Sequence, residues 1–557
     1  MSDQEQQQIT RDDYDFPPGT VHLVDIHSEL NVQKGDGNII LHPQPSSNVN
    51  DPLRWSKTKR NLQFALLWFW GFMLSLNLNF MVPYFAEWVV DWNTTYTDIG
   101  ISIALCYLGL GVGVVFIQPT ALKLGKVFAY NMGTVLAIVT CIFGSQSSNI
   151  GYFHAFNIIA GIAAAPVDSL VELSANDLFF QHERSTAFCA LVLALYGGAD
   201  LGPVAAGYIA DGLNWRWSYY ISIIIYVPML LLQLFWMEET TFRRSSNEDE
   251  ELEDEILAQI KSHETAKSGG ESPDSKSQDK IEVDVKSKPA KDDQVKLTYW
   301  QKHKLYHTEQ NDTRSWSCIF VRPMYLVTFP AILWSGMIYG FQMFWLSLTA
   351  NTQSAIFSEP PYNFSVNNVG LTTLGLFVGS VVGMFYGGPF VDWFAIKMAK
   401  RNNGILEPEH RLHTMIIPTI FNAAGILAYG LGAYYGSHWA ISVVIGLGLM
   451  GFAMSSSGGI CLVYAVECYD KLASESLVLI LFIRNMIGMG FSFAINPWIA
   501  AQGMKKTTYA MFALSVAVNG SYIFMVWKGK AIRRWSRARY EKITDPYYGD
   551  IFGRSKR

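Results

Sequence analysis

Residues 166–207 of the chain read PVDSLVELSANDLFFQHERSTAFCALVLALYGGADLGPVAAG. Two apolar segments lie on either side of a short polar hinge, and each segment carries a carboxylate, Asp168 in the first and Asp200 in the second. A charged side chain at the centre of a bilayer costs about 2.5 to 3.5 kcal/mol on insertion scales, so it is rarely placed there without a function. The stretch therefore predicts two membrane helices that contain polar sites.

The second apolar segment has a regular pattern of small residues, Gly198, Gly202, Pro203 and Gly207. Glycines at this spacing let another helix approach closely. The proline frees a backbone carbonyl and bends the helix axis. A polar residue inside a helix that can bend is typical of a membrane carrier.

Long apolar runs recur along the rest of the chain. Half of the 557 residues are apolar and 16% are charged, whereas soluble proteins average about 25% charged residues. About 20 apolar residues cross a bilayer. We predict twelve such spans, at about 62–84, 98–117, 128–146, 152–173, 187–209, 217–237, 323–347, 368–388, 414–434, 439–464, 474–498 and 507–527. The prediction is an all-α membrane protein.

Lysine and arginine are concentrated in alternate loops and in the C-terminal tail. The opposite loops contain only Arg216, Lys505 and Lys506. By the positive-inside rule both termini are cytoplasmic, which requires an even number of spans and agrees with twelve. The sequons at Asn93 and Asn363 fall in loops on the other, outer side and are predicted glycosylation sites. We expect a multi-pass protein of the plasma membrane.

Composition divides the chain into five parts. They are a disordered cytoplasmic tail (1–60), a six-helix bundle (61–241), a disordered acidic and Lys/Ser-rich linker (242–320), a second six-helix bundle (321–528) and a basic cytoplasmic tail (529–557). The polar parts have too few apolar residues to form a core. The linker is either a solvated tether or a site of modification that controls turnover. The six cysteines lie in spans or on the cytoplasmic side, so we expect no disulfide framework.

Several motifs together resemble fungal members of the major facilitator superfamily. They are Asp51-Pro-Leu-x-Trp-Ser, Asp177-Leu-Phe-Phe-x-His-Glu-Arg184, the glycine and proline pattern ending at Gly207, Trp215-Arg-Trp217 and Glu238-Glu-Thr240. The chain looks most like the twelve-span drug:proton antiporter branch, and within it like carriers of histidinol and polyamines. The resemblance implies two six-helix bundles that alternate access to a central site.

The chain departs from the family at its first cytoplasmic motif, which normally reads Gly-x-x-x-Asp-Arg-x-Gly-Arg. Only Gly125 and Lys126 remain close to it, while Gln118 and Leu122 replace its glycine and its acid. Because this motif is a conformational latch in the family, the resemblance implies that the latch rests on Asp392 in the second half. The arginine that relatives often carry in the fourth span is also absent from this span, which has two acids instead.

Asp168 and Glu172 are four residues apart and share one helix face. Two neighbouring carboxylates in a low-dielectric site do not both ionise easily, so one is expected to hold a proton and release it to a cationic substrate. The resemblance supports Asp168, because a similar polyamine carrier also has an acid there. The alternatives are a structural hydrogen bond for Asp168 and a position at the cytoplasmic end for Glu172.

Three further polar residues lie inside predicted spans. Asp200 is either a second proton or cation site or a residue that reaches water at the outer mouth. Arg484 pairs with an acid across the cavity, binds an anionic group or forms a structural ion pair. Asn77 either binds substrate or, as is more usual for such residues, bonds to a neighbouring helix.

The seventh span contains Tyr339, Gln342 and Trp345. A cation over an aromatic face gains about 0.5 to 2 kcal/mol, so this span is a candidate wall of an amine site. No metal-ligand cluster, nucleotide-binding loop or nucleophile–base group is visible. We therefore expect neither a cofactor nor a metal, and no enzymatic activity.

The sequence leads to three functional hypotheses. The first is proton-coupled transport of organic cations, most simply polyamines or related amines, by a monomer whose partners are the substrate, protons and the lipid bilayer, with no nucleic acid. The second is efflux of drugs or hydrophobic toxins. The third is a nutrient sensor that signals through the linker and transports nothing.

Overall fold

The computed structural model describes residues 17–25, 39–43, 45–46, 48–242, 298–304 and 315–544. Most of the predicted linker and both ends of the chain lie outside the described residues. Over the described part the chain is almost entirely helical, with one two-stranded sheet.

The first half contains one strand and seven helices. They are β1 (Val21–His22), α1 (Lys57–Asn79), α2 (Phe85–Asp91), α3 (Tyr96–Leu124), α4 (Lys126–Ser145), α5 (Ile150–Leu178), α6 (Arg184–Gly212) and α7 (Arg216–Trp236), with short 3-10 turns at Pro52–Arg54, Val82–Tyr84 and Gln181–Glu183. Local chemistry sets several of the starts. Thr95 and Asp98 form a capping box at α3, and the Asn149 side chain caps α5.

The second half begins after the linker. Its elements are α8 (Tyr299–Lys302), α9 (Trp316–Tyr325), α10 (Pro330–Ser358), α11 (Val366–Thr372), α12 (Leu374–Phe385), α13 (Val391–Arg401), β2 (Ile405–Leu406), α14 (Glu409–Leu412), α15 (Ile416–Tyr434), α16 (Gly448–Cys468), α17 (Ala473–Gly520) and α18 (Tyr522–Thr544). π-Helical turns at Tyr386–Phe390 and Ile441–Leu447 continue α12 into α13 and lead into α16.

Eleven helical stretches among the described residues are long and apolar enough to cross a membrane. The last, Asp470–Thr544, contains two crossings, because the chain reverses at Gly503, whose φ of 76° is left-handed and favours glycine. The predicted fold class, an all-α membrane protein with twelve spans, is confirmed. We call the end that contains Lys57 and Thr544 the basic end, and the end that contains Asn93 and Asn363 the sequon end.

The glycine pattern of α6 brings it close to α1. A methyl group at Gly198 would lie 2.3 Å from the Phe72 carbonyl oxygen, and one at Gly202 would lie 2.4 Å from that of Leu76. Gly207 instead faces Asn367 in the other half. The predicted close helix approach thus involves both a neighbour in the same half and the opposite half.

Two sets of contacts join the halves. Helix α3 packs along α17, and α6 packs against α11, α12 and α16. All six cysteines are buried and free. Cys189 of α6 lies at this interface, since a methyl group at Gly459 of α16 would lie 2.1 Å from its sulfur.

The N-terminal region differs from the predicted disordered tail of residues 1–60. Strand β1 pairs antiparallel with β2 of the second half, and Leu23 and Ile40 are fully buried. Helix α1 begins at Lys57, capped by the Ser56 side chain. Sparse apolar residues in an otherwise polar segment are sufficient here because they pack on an existing surface.

The C-terminal region also differs from a separate tail that starts at residue 529. Helix α18 continues to Thr544 without a break. Arg533 is fully buried and forms two hydrogen bonds with the Glu409 carboxylate, at 2.9 and 2.5 Å. This part of the basic segment packs against the second half rather than only meeting the membrane surface.

Candidate functional site

A small cavity of about 60 Å³ lies between the two halves near the middle of the spans. It can hold only a few water molecules. Its wall is mainly apolar and includes seven polar side chains, namely those of Ser75, Asn79, Tyr107, Asn157, Asp168, Tyr196 and Arg484. The cavity contains contributions from α1, α3, α5, α6, α10 and α17, so it lies at the centre of the molecule.

Asp168 and Arg484 face each other across this cavity. Oδ1 of Asp168 accepts a hydrogen bond from Nη2 of Arg484, and Oδ2 accepts one from Nδ2 of Asn485 at 3.0 Å. Asp168 is 3% exposed and Arg484 is 2% exposed. Arg484 therefore forms an ion pair with an acid of the opposite half at the cavity.

The Arg484 guanidinium also lies over an aromatic ring. Its central carbon is 4.7 Å from the centroid of the Tyr339 ring on α10. A cation at this distance from an aromatic face is attracted to the ring quadrupole. Arg484 is therefore held by an anion on one side and a ring on the other.

Glu172 lies one helical turn from Asp168 and is 1% exposed, so it does not reach water at the basic end. Neither of its carboxylate oxygens has a hydrogen-bond partner among the described residues. The Tyr339 side chain of α10 lies close to this carboxyl group. An ionised carboxylate without partners is costly to bury, so this position favours a protonated side chain in the closed state.

Asp200 is also buried, but it does not line the cavity. It is 2% exposed, so it does not reach water at an outer mouth. Oδ2 accepts a weak hydrogen bond, at 3.4 Å, from the Ser380 hydroxyl of α12, while Oδ1 has no partner in the described part of the chain. Asp200 therefore lies at the interface between the halves.

Three predicted site residues make contacts elsewhere. The Asn77 amide donates to the Cys141 sulfur at 3.2 Å, which agrees with the alternative of a bond to a neighbouring helix. The Gln342 amide donates to Asn519 at 3.0 Å, and buried Trp345 packs on Phe344. None of the three lines the cavity. Gln342 and Trp345 lie on α10, which is buried on nearly all sides and faces the centre with only part of its surface.

The basic end is closed by a buried ion network around Arg411. Its guanidinium binds the Glu467 carboxylate at 2.9 and 3.0 Å and the Asp392 carboxylate at 2.6 Å. The same guanidinium donates across to the first half, to the Ser185 hydroxyl at 2.5 Å and to the Gln181 carbonyl at 3.1 Å. Arg411 is fully buried.

Asp392 also crosses the interface. Its carboxylate accepts hydrogen bonds from the backbone N–H groups of Ser185 and Thr186, at 3.3 and 2.8 Å, at the start of α6. A carboxylate at a helix N-terminus satisfies free N–H groups and complements the helix dipole. These contacts fit the latch role that the resemblance implies for Asp392.

The remnant of the family motif in the first half makes contacts within that half. Gly125 ends α3 with a φ of 101°. Lys126 forms an ion pair with Asp177 and contacts Thr240, and Lys126 is 3% exposed. Lys126 thus ties α4 to the end of α5 and does not cross to the other half.

The sequon end is closed by neutral groups. Nδ2 of Asn496 donates to the Tyr96 carbonyl at 2.9 Å, and the Ser492 hydroxyl donates to the Gly100 carbonyl at 3.3 Å. Asn93 and Asn363 are both exposed at this end, which leaves their predicted glycosylation sterically open.

Sequence reasoning missed part of the site. Tyr107, Asn157 and Asn485 surround the charge pair, and Arg411 with Glu467 forms the closure. Glu467 lies at the end of an apolar run, and Arg411 lies in one of the loops rich in lysine and arginine. The available signals in the sequence were an acid near the end of one predicted span, Glu467, and a basic residue just before another, Arg411.

Comparison with known proteins identifies the family of this chain. The family model described as Major Facilitator Superfamily matches residues 67–471, more than half of the chain. The chain belongs to the Major Facilitator Superfamily. An uncharacterised MFS-type transporter of Schizosaccharomyces pombe is 30% identical over 94% of this chain and 94% of its own length. Protein HOL1 of Saccharomyces cerevisiae is 26% identical over 95% of this chain and 97% of its own length.

The solved structures agree on the fold. The proton:xylose symporter XylE, bound to 6-bromo-6-deoxy-D-glucose, has a TM-score of 0.55 at 15% identity and covers 85% of this chain and 96% of its own. The fold and family together support a multi-pass membrane transporter. At this identity the likeness concerns the fold alone and carries no statement about substrate.

Proposed function

We propose that the chain is a proton-coupled carrier of small organic cations, such as polyamines or related amines, that works by alternating access in the plasma membrane. The observation that carries the proposal is the pairing of Asp168 with Arg484 across the central cavity, with Glu172 one turn away. The basic end is proposed to face the cytoplasm, in accordance with the positive-inside rule.

Charge balance explains how an empty carrier closes. Asp168 and Arg484 neutralise each other, and a protonated Glu172 adds no charge. Uncompensated charges are strongly unfavourable in a closed site, whereas a hydrogen-bonded pair is tolerated. The empty carrier can therefore change its access without burying a net charge.

A cationic substrate disturbs this balance. An ammonium group that enters between Asp168 and Arg484 takes over the Asp168 carboxylate and gains the nearby Tyr339 face. The site then carries one positive charge too many, which loss of the Glu172 proton removes. Glu172 has one proton to release, so one proton leaves for each ammonium group that binds at Asp168, and the substrate and proton movements are coupled.

The size of the cavity requires a conformational change for loading. At about 60 Å³ it has no room for a polyamine. The halves must therefore separate at one end before substrate binds. Two bundles that rock about a central site provide this separation.

The experiment that tests the proposal is flux through the purified chain in proteoliposomes. Radiolabelled spermidine and histidinol are followed at two external pH values, with and without a pH gradient. We expect Asp168→Asn to abolish amine flux at normal protein insertion. We expect Glu172→Gln, which cannot lose a proton, to abolish the stimulation by a pH gradient and to slow amine exchange at equal pH, because the loaded site then keeps an uncompensated positive charge.

A matched control is Asp98→Asn, which removes a partly exposed acid that caps α3 at the sequon end, away from the cavity. It should leave flux and pH dependence unchanged. Full amine flux in Asp168→Asn, or an unaltered gradient response in Glu172→Gln, would contradict the proposed roles.

Efflux of hydrophobic cations or drugs is the second candidate. The mainly apolar cavity wall, with Ile103, Leu110 and Leu346 among its residues, favours it. Drug flux in the same liposomes separates the two. Transport of lipophilic compounds without spermidine or histidinol flux would favour this alternative.

A further inference from the structure

The N-terminal region contains two segments, residues 17–24 and 39–42, which we call the strap. The strap lies at the basic end and is bound to both halves of the molecule. We propose that it is a built-in lock that holds the basic end closed and must undock before that end opens. This inference does not depend on the substrate or on proton coupling.

The first part of the strap is bound firmly to the second half. Arg533 of α18 donates to the Pro18 carbonyl at 2.6 Å and to the Thr20 hydroxyl at 3.1 Å. The backbone N–H of Leu23 donates to the Gly404 carbonyl at 2.9 Å, next to the pairing of β1 with β2. These contacts fix the strap to the second half at the basic end.

Gly19 shows how closely the strap fits. Its φ is 82°, and a methyl group there would lie 2.3 Å from the backbone oxygen of Glu467. Glu467 is the residue whose carboxylate holds Arg411. The strap therefore lies directly behind the ion network.

The second part of the strap crosses to the first half. Ile40 donates its backbone N–H to the Leu23 carbonyl at 2.8 Å and so belongs to the part on the second half. Two residues later, the His42 carbonyl accepts a hydrogen bond from the backbone N–H of Gln181 at 2.9 Å. The carbonyl of that same Gln181 accepts from Arg411.

Chain length makes the connection mechanically tight. Two residues span at most about 7 Å, so Ile40 and His42 cannot follow halves that separate widely. Opening of the basic end must break either the His42–Gln181 hydrogen bond or the contacts of Leu23 and Ile40. The strap thus adds its docking free energy to that of the closed state.

Distance measurements between the halves test the lock directly. The full-length chain in lipid nanodiscs, with Cys106 and Cys189 replaced by alanine because both lie between the halves, is spin-labelled at Thr58→Cys and Lys400→Cys, two exposed positions of opposite halves. The strap variants are Gly19→Ala, which collides with Glu467, and Leu23→Asp, which places a charge at a fully buried position. Double electron–electron resonance then gives the distribution of distances between the two labels.

We expect each strap variant to raise the fraction of long distances about tenfold over the unmodified chain. Val49→Asp is the matched control, because Val49 is 47% exposed and lies between the strap and α1. It should leave the distribution unchanged. An unchanged distribution in either strap variant, or an equal shift in the Val49→Asp control, would overturn the proposal. Neither strap variant alters a spanning helix, so folding of the bundles is preserved and is checked by size-exclusion chromatography.

Discussion

The two ends of the molecule are closed by different chemistry. At the basic end a fully buried arginine joins two carboxylates and two groups of the opposite half, and the strap lies behind it. At the sequon end the halves meet through an asparagine amide, a serine hydroxyl and closely packed backbone. Neutral hydrogen bonds contribute about 0.5 to 1.5 kcal/mol each, whereas those to charged groups contribute about 1.5 to 3.

The difference indicates which end opens first. Parting the basic end leaves Asp392 and Arg411 without some of their partners, whereas parting the sequon end exposes neutral groups that water satisfies. The empty carrier should therefore open to the sequon side more readily. Each prediction below changes one side of this comparison, and distances between labelled halves are the common measurement.

The largest effect is expected from Arg411→Gln. Asp392 and Glu467 then remain buried without their cation, and loss of one partner of a buried ion pair costs about 3 to 5 kcal/mol. The basic end should open in most molecules, as measured between labels at Thr58→Cys and Lys400→Cys. Arg401→Gln, at an exposed position, is the control and should have no effect. A closed basic end in Arg411→Gln would show that the ion network does not hold it.

A smaller effect is expected from Gly370→Ala at the other end. The added methyl group would lie 2.4 Å from the Pro203 carbonyl oxygen of the opposite half, and such overpacking costs about 1 to 3 kcal/mol. Labels at Asp91→Cys and Tyr435→Cys should report a wider sequon end. Gly490→Ala, where no atom lies within 4 Å of the added methyl group, should behave as the unmodified chain. If Gly370→Ala leaves the sequon end closed, backbone packing there is not what limits its opening.

The smallest effect is a pH dependence of the strap. Burial, together with the nearby His42, lowers the pKa of His22 from 6.5 to about 4. The docked strap thus favours neutral His22, so docking is complete above pH 6.5 and weakens as the pH falls towards 4. The fraction of open basic ends should rise from pH 7 to pH 5, and His22→Gln should reduce this rise.

The matched control for the histidine is His438→Gln, at an exposed position of the sequon end. It should retain the full pH response at the basic end. An identical response in His22→Gln and in the unmodified chain would assign the pH dependence to other groups.

Much of the fold was predictable from the sequence, because each helix that crosses a bilayer requires a continuous apolar run of its own. Runs of about 20 apolar residues gave the twelve spans and their order. The strap was not predictable, because its order comes from pairing Val21 and His22 with Leu406 and Ile405, more than 380 positions further along the chain. The composition of residues 1–60 alone indicates disorder.

The candidate site was predictable in its residues and not in its contacts. Asp168 and Arg484 stood out as charges inside spans, yet they are 316 positions apart and only the fold brings them together. The side chains of α10 gave a misleading signal, since polar and aromatic residues occur all round a helix that is buried on nearly every side. Periodicity identifies a buried face only when another face meets lipid or water.

The buried thiols have a practical consequence. Cys106 lines the central cavity, and Cys189 lies between α6 and α16. Both are shielded from reagents in the closed form, so alkylation of each sulfur must wait for the halves to part. The rate at which each of these cysteines is alkylated in the unlabelled chain, measured by mass spectrometry of its peptides, therefore reports how often the halves part.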